Sequence, residues 1–215
     1  MMDINTWMED FIGRMRAAFG ERLLFVGLQG SRGRGEAKED SDIDVVVILD
    51  QLDPPDLDAY RAAAEGLPER GKLCGFVSGR AELAAWDRAE LFQFYHDTVP
   101  YLGSLEFLRP LMGLTDVRRS IHLGACAIYH ACCHNYLHER SPELLHSCRK
   151  SAFFLLQAKR FLETGAYVSR RADLLPLLSG ADREVLEPPP GEGFVTEAKR
   201  LLAWASAMIR QYAGE

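Results

Sequence analysis

The chain reads as an α+β protein: a small mixed β-sheet with flanking helices, followed by an all-α helical bundle. Two observations carry that reading. Up to about residue 110, short apolar runs with β-branched residues alternate with amphipathic helical stretches across short turns, the pattern of a small sheet covered by helices. From Thr115 onward the strand-like runs stop and long helical periodicities take over. The expected domains are therefore residues 1–112 and 113–215.

Trp7, Met8, Phe11, Ile12, Met15, Ala18 and Phe19 recur at helical spacing, so residues 4–19 form an amphipathic helix ended by Gly20. A first strand follows at about 22–28. Gly30-Ser31 breaks it and opens a tight turn with about two turns of helix, and Val45 to Leu49 forms a second strand. Leu57 to Leu67 is a surface helix stopped by Gly66 and Pro68, and Lys72 to Val77 a third strand. Short helical pieces are expected at about 80–86 and 88–92. The aromatic and β-branched run from Phe92 to Tyr101 predicts a fourth strand.

In the second half, Thr115 is the expected cap of a helix over 116–138. Ser141-Pro142-Glu143 starts another, with a capping hydroxyl, a first-turn proline and an acid near the positive end. That helix runs to about Glu163, before Thr164-Gly165. Shorter pieces at about 170–178 and 182–186 precede the loop PPPGEG, and a last helix spans about 194–212. These make a bundle of three to five helices.

The chemistry concentrates between Phe25 and Leu49. Side chains alternate along a strand, so Asp42 and Asp44 project to one side and Ile43 to the other. Two like charges at that spacing call for a cation between them. Mg²⁺ fits, because it takes carboxylate oxygens and keeps positions open for water and substrate phosphates. Gly30-Ser31 complements it: glycine admits close approach of a ligand, and the following helix start offers free N–H groups to an anion. Together they describe a phosphoryl- or nucleotidyl-transfer site. Arg34 is a further candidate for the phosphates.

The pattern Gly30-Ser31, ten residues, Asp42-x-Asp44, with Arg32, Arg34, Gly35 and Ser41 between, resembles the nucleotidyltransferase superfamily of DNA polymerase β type. It is most like the minimal and kanamycin-nucleotidyltransferase-like members. The motif covers about 25 residues and the wider likeness roughly the first 110. The resemblance implies that Gly30 and Ser31 hold a nucleoside triphosphate and that Asp42 and Asp44 bind Mg²⁺. It also implies transfer of an NMP group, from ATP or another NTP, to a small-molecule or protein acceptor, with pyrophosphate released. The family usually carries a third carboxylate on the strand after the D-x-D strand, whereas the run KLCGFV holds Cys74 and Gly75 and no acid. Asp97, Glu106 or an acid of the helical domain is the expected replacement; otherwise the chain is a nucleotide-binding or antitoxin-like module without turnover.

Composition narrows the partners. The net charge is −6, divided as −8 over residues 1–110 and +2 over the rest, so an acidic catalytic half argues against nucleic acid as a partner. No apolar run is long enough to span a membrane, and the acidic start MMDINTWMEDF is unlike a signal peptide; both predict a cytoplasmic protein. Five cysteines, mostly in apolar helical contexts, read as reduced thiols. His130, His134 and His138 form a row at helical spacing that suits helix packing or an interface better than a zinc site, since one helix rarely supplies three ligands to one ion. The acceptor is expected in a cleft between the two domains, and a homodimer is compatible with the bundle.

Overall fold

A computed structural model describes residues 2–214; Met1 and Glu215, the outer ends of the two expected domains, lie outside the described residues. The chain divides into two compact units that meet between Leu111 and Met112.

The first unit opens with α1 (Ile4–Phe19), capped by the Asp3 carboxylate accepting from the Asn5 N–H. Strand β1 (Leu23–Leu28) leads into the one-turn helix α2 (Gly30–Gly33), and β2 (Ile43–Leu49) follows. Helix α3 (Pro54–Ala63), β3 (Leu73–Gly79), α4 (Arg80–Ala84), α5 (Arg88–Asp97) and β4 (Val99–Leu102) complete the set. The strand order is β3-β2-β1-β4. β1 pairs antiparallel with β2 and β4, while β2 and β3 run parallel, with Asp44 opposite Cys74 and Val46 opposite Phe76. The sheet is therefore mixed, as expected.

β2 is apolar on both faces because it is covered on both. Val45, Val47 and Leu49 join Met8, Phe11 and Met15 of α1 in one core, while Val46 and Ile48, of opposite parity, are equally buried. Trp7 stacks on Phe11 at 5.3 Å between ring centroids, and Phe11 meets Tyr60 of α3 edge-on. Burying side chains of this size contributes about 1.5–3 kcal/mol each, which fixes β2 and the residues just before it.

Three elements of this unit differ from expectation. The surface helix expected over Leu57 to Leu67 is α3, Pro54–Ala63, because it is capped earlier, at Asp53, whose N–H donates to Asp56 Oδ2 (2.9 Å). The helix after Gly30 has one turn, not two. Arg32 folds back, Nε donating to the Asp42 carbonyl (2.9 Å) and Nη2 to the Ser41 carbonyl (2.7 Å), so residues 34–42 run as a loop clamped by that guanidinium. The expected strand from Phe92 to Tyr101 is helix α5 up to Asp97, with β4 confined to Val99–Leu102. The Asp87 carboxylate caps α5 by accepting from the Ala89 N–H (2.9 Å), a start signal that outweighs the β-leaning composition.

The second unit is built on α6 (Leu114–His134), α7 (Pro142–Thr164) and α10 (Phe194–Tyr212), with short helices α8 (Arg171–Leu174) and α9 (Gly180–Leu186) between the last two. α6 packs against both α7 and α10, burying Ile121, Ala125, Ile128, Leu156, Leu201, Trp204 and Met208. α6 begins earlier than expected: Gly113 rather than Thr115 caps it, its N–H donating to Asp116 Oδ2 (2.8 Å). It also ends earlier, passing into a wide π turn over Asn135–Glu139. The cause is Asn135, fully buried, whose amide accepts from the Ser141 N–H (2.8 Å) and donates to the Ser141 carbonyl (2.9 Å). It thereby folds the chain back into α7.

Candidate active site

The site is assembled where β1 ends and β2 begins. Gln29 is extended, and its N–H donates to the Asp44 carbonyl (2.8 Å), closing the turn against β2. Gly30 then adopts φ +68°. A Cβ placed on it would lie 2.1 Å from Asp44 Oδ2, so only glycine lets this carboxylate rest against the turn.

Asp42 is exposed just before β2, Ile43 is fully buried, and Asp44 is partly buried. Exposure alternates across the three residues, and the Asp42 charge is near enough to act on Asp44. Burial, then the neighbouring Asp42 charge, raise the Asp44 carboxyl above its ordinary value, while the Arg34 charge works in the opposite direction. A partly buried acid beside a second acid, disfavoured in its charged form, marks a candidate functional site.

Arg34 lies behind the turn. Its Nη1 donates to both oxygens of Asp97 (2.8 and 2.9 Å), and its Nε donates to Glu36 Oε2 at 3.3 Å. Burial opposes the guanidinium charge, but the bonds and charge of Asp97 outweigh it and raise the Arg34 pKa. Asp97, at the end of α5, is itself buried and also accepts from the Gly30 N–H at 3.3 Å. Burial raises its carboxyl despite the Arg34 pairing. Of the expected replacements for the third carboxylate in this unit, Asp97 is thus beside the turn. Glu106 is not in this group; it accepts from the Tyr95 hydroxyl (2.6 Å).

Two participants were not singled out in the sequence. The Gln29 side-chain amide donates to Thr98 Oγ1 (2.7 Å) and the Phe94 carbonyl (3.2 Å), tying the turn to the end of α5. The only signal for them was adjacency, Gln29 to Gly30 and Thr98 to Asp97. On β3, Cys74 is exposed and stands opposite Asp44 in the parallel register.

Two neighbouring carboxylates, one of them exposed, suit Mg²⁺, which needs few protein ligands. Among the described residues no group of three or more His, Cys, Asp or Glu side chains is gathered to hold a metal. In the second unit the His134 and His138 rings touch at 5.1 Å, and His134 Nε2 lies 3.4 Å from Glu139 Oε1. Among the described residues no helix is long and apolar enough to cross a membrane.

Residues 9–76 match the family model of the nucleotidyltransferase domain, a span that contains Gly30, Ser31, Asp42 and Asp44 and stops short of α5. No curated protein matches the chain. Among solved structures, a spectinomycin adenyltransferase from Enterococcus faecialis, crystallised with ATP and spectinomycin, is similar over 96% of this chain and 99% of its own. The identity is 13% and the TM-score 0.57, a likeness of fold. A nucleotidyltransferase-like protein from Exiguobacterium sibiricum covers 95% of this chain and 75% of its own at 11% identity, with a TM-score of 0.39. The motif, the mixed sheet that carries it and the family model agree over residues 9–76, the span that is similar to the nucleotidyltransferase domain.

Proposed function

We propose that the protein transfers an NMP group from a nucleoside triphosphate, ATP in the first instance, to a small-molecule or protein acceptor in a Mg²⁺-dependent reaction. The observation that carries this reading is the contact of Asp44 with the Gly30 backbone, beside Asp42, within the matched nucleotidyltransferase span. A spectinomycin adenyltransferase of similar fold supports ATP as donor and a small molecule as acceptor.

In this reading Asp42 and Asp44 hold the metal ions. Bound there, Mg²⁺ supplies positive charge to the acceptor oxygen and to the departing pyrophosphate. Gly30 keeps the turn free of a side chain, so the triphosphate closes down toward Asp44. Ser31 offers its hydroxyl and N–H to the phosphates, and Arg34, held by Asp97, places a positive charge behind them. The acceptor oxygen bonds to the α-phosphorus as the bond to pyrophosphate breaks, and the acceptor proton passes to solvent.

A second reading, nucleotide binding without turnover, draws on Cys74 standing opposite Asp44 where the family usually places an acid. One experiment separates the two. NTPs labelled at the α-phosphate are screened with Mg²⁺ against metabolites, aminoglycosides and protein partners. Label transferred to an acceptor with release of pyrophosphate supports the enzyme. Nucleotide retained without transfer across the screen supports the binding module.

A further inference from the structure

We infer that Asp97 is a positioning residue for the nucleotide turn, holding Gly30 and Arg34 in place against Asp44 rather than taking a metal ion itself. The inference rests on the nucleotidyl-transfer reading and assigns a role to a residue outside the family-matched span, which ends at residue 76.

The geometry separates the two roles an acid could have here. Both oxygens of Asp97 accept from Arg34 Nη1, and Oδ2 also accepts from the Gly30 N–H. Asp44 meets the same glycine on its Cα side, where a Cβ would stand. Gly30 is thus held between two carboxylates, one on its N–H and one on its Cα. Asp97 has a cation of its own, whereas Asp44 has the Asp42 charge as a neighbour. A carboxylate already bonded to a guanidinium and a peptide N–H is poorly placed to take a metal ion as well.

The Asp97 bonds belong to a wider fastening. Gln29 ties the preceding residue of the turn to Phe94 and Thr98, on either side of Asp97. β4 then begins at Val99, which pairs with Leu28 at the end of β1. The turn is therefore pinned to the end of α5 at Gln29, Gly30 and Arg34 while its other side rests on β2. α2 has only one turn and cannot hold its own orientation. Asp97 and Gln29 supply that orientation from outside, and Asp97, with Glu36 on the other side of the guanidinium, also sets where the Arg34 charge sits. Fixing such groups before the substrate arrives is what makes them effective toward developing charge.

The test uses the full chain, wild type against Asp97→Asn, Arg34→Lys and the double variant, each confirmed to melt cooperatively. ATP with Mg²⁺ is titrated by calorimetry, and Mn²⁺ alone by paramagnetic resonance. Asp97→Asn is expected to weaken ATP–Mg²⁺ binding by about tenfold or more, as loss of a charged hydrogen bond does. Arg34→Lys should follow it, the double variant should be no worse than the single ones, and Mn²⁺ affinity should equal wild type. If Asp97→Asn does not fold, Asp97→Glu, which keeps the charge and moves the carboxylate by one methylene, is read by the same outcomes. Weakened Mn²⁺ binding would make Asp97 a metal ligand and overturn the inference. Unchanged ATP–Mg²⁺ affinity in a folded variant would reduce the pair to a structural ion pair and overturn it too. Failure of the wild type to bind ATP–Mg²⁺ would overturn the nucleotidyl-transfer reading and this inference with it; a binding wild type with unaffected variants sinks the inference alone.

Discussion

Gly30 and Asp44 fit together only because residue 30 has no side chain: a Cβ there would stand 2.1 Å from Asp44 Oδ2. The contact joins the turn after β1 to the first residues of β2, so the candidate phosphate site and the candidate metal site share one backbone. Gly30→Ala is expected to strain a left-handed position and displace the carboxylate at once. It should cost roughly 1–3 kcal/mol in urea unfolding and weaken nucleotide binding as well. A variant with wild-type stability would show that the turn can relax away from Asp44.

Asp44→Asn should stabilise the protein in the absence of metal and nucleotide. The sign follows from the raised carboxyl, whose charged form is disfavoured by burial and by Asp42. Such a group adds nothing below its unfolded-state pKa, where it is protonated in both states. Its cost grows as pH rises through the folded-state value and then stays constant. The advantage of Asp44→Asn over wild type should therefore be present at neutral pH and vanish in acid. Melting curves from pH 3 to 8 measure it; an Asp44→Asn protein less stable than wild type at pH 7 would contradict the account.

The opposite sign is expected at Asp56. Bidentate hydrogen bonds from Arg22 (2.8 Å each) and the Asp53 N–H (2.9 Å) hold its carboxyl down at about 2. Its stabilisation is present above the ordinary carboxylate range and is lost as pH falls toward 2. Asp56→Asn should lower the melting temperature at pH 7 and make the melting temperature less sensitive to acid. Equal acid sensitivity in both proteins would show that the Arg22 pairing does not contribute.

In the second unit, Asn135→Ala removes both bonds that close the π turn onto Ser141. A fully buried amide with two backbone partners makes the expected loss about 2–3 kcal/mol. A difference within error of zero in urea unfolding would mean that the turn is held by its neighbours alone.

What could be read from the sequence tracks how local the cause was. α1, β1, β2, α7 and α10 came out within a few residues of expectation because their apolar periodicity and caps lie within the element; Phe194–Tyr212 is an instance. The D-x-D spacing and the Gly-Ser turn were equally local. Phe92 to Asp97 misled because its aromatic and β-leaning composition pointed to strand, while the deciding feature was the Asp87 cap upstream. The one-turn length of α2 depends on Arg32 reaching carbonyls nine and ten residues away. Asp97 could be named from sequence only as one of several acids. Its closeness to Gly30 comes from the pairing of β4 with β1, a contact more than 60 residues apart in the chain.

The most direct test of the central claim is a calorimetric titration of ATP into wild type and Asp44→Asn, each with and without Mg²⁺. Binding by the wild type should depend on Mg²⁺, and Asp44→Asn should lose that dependence together with most of its affinity while melting as a folded protein. ATP binding to Asp44→Asn with wild-type affinity and the same Mg²⁺ requirement would contradict the assignment of Asp42 and Asp44 as the metal-holding pair.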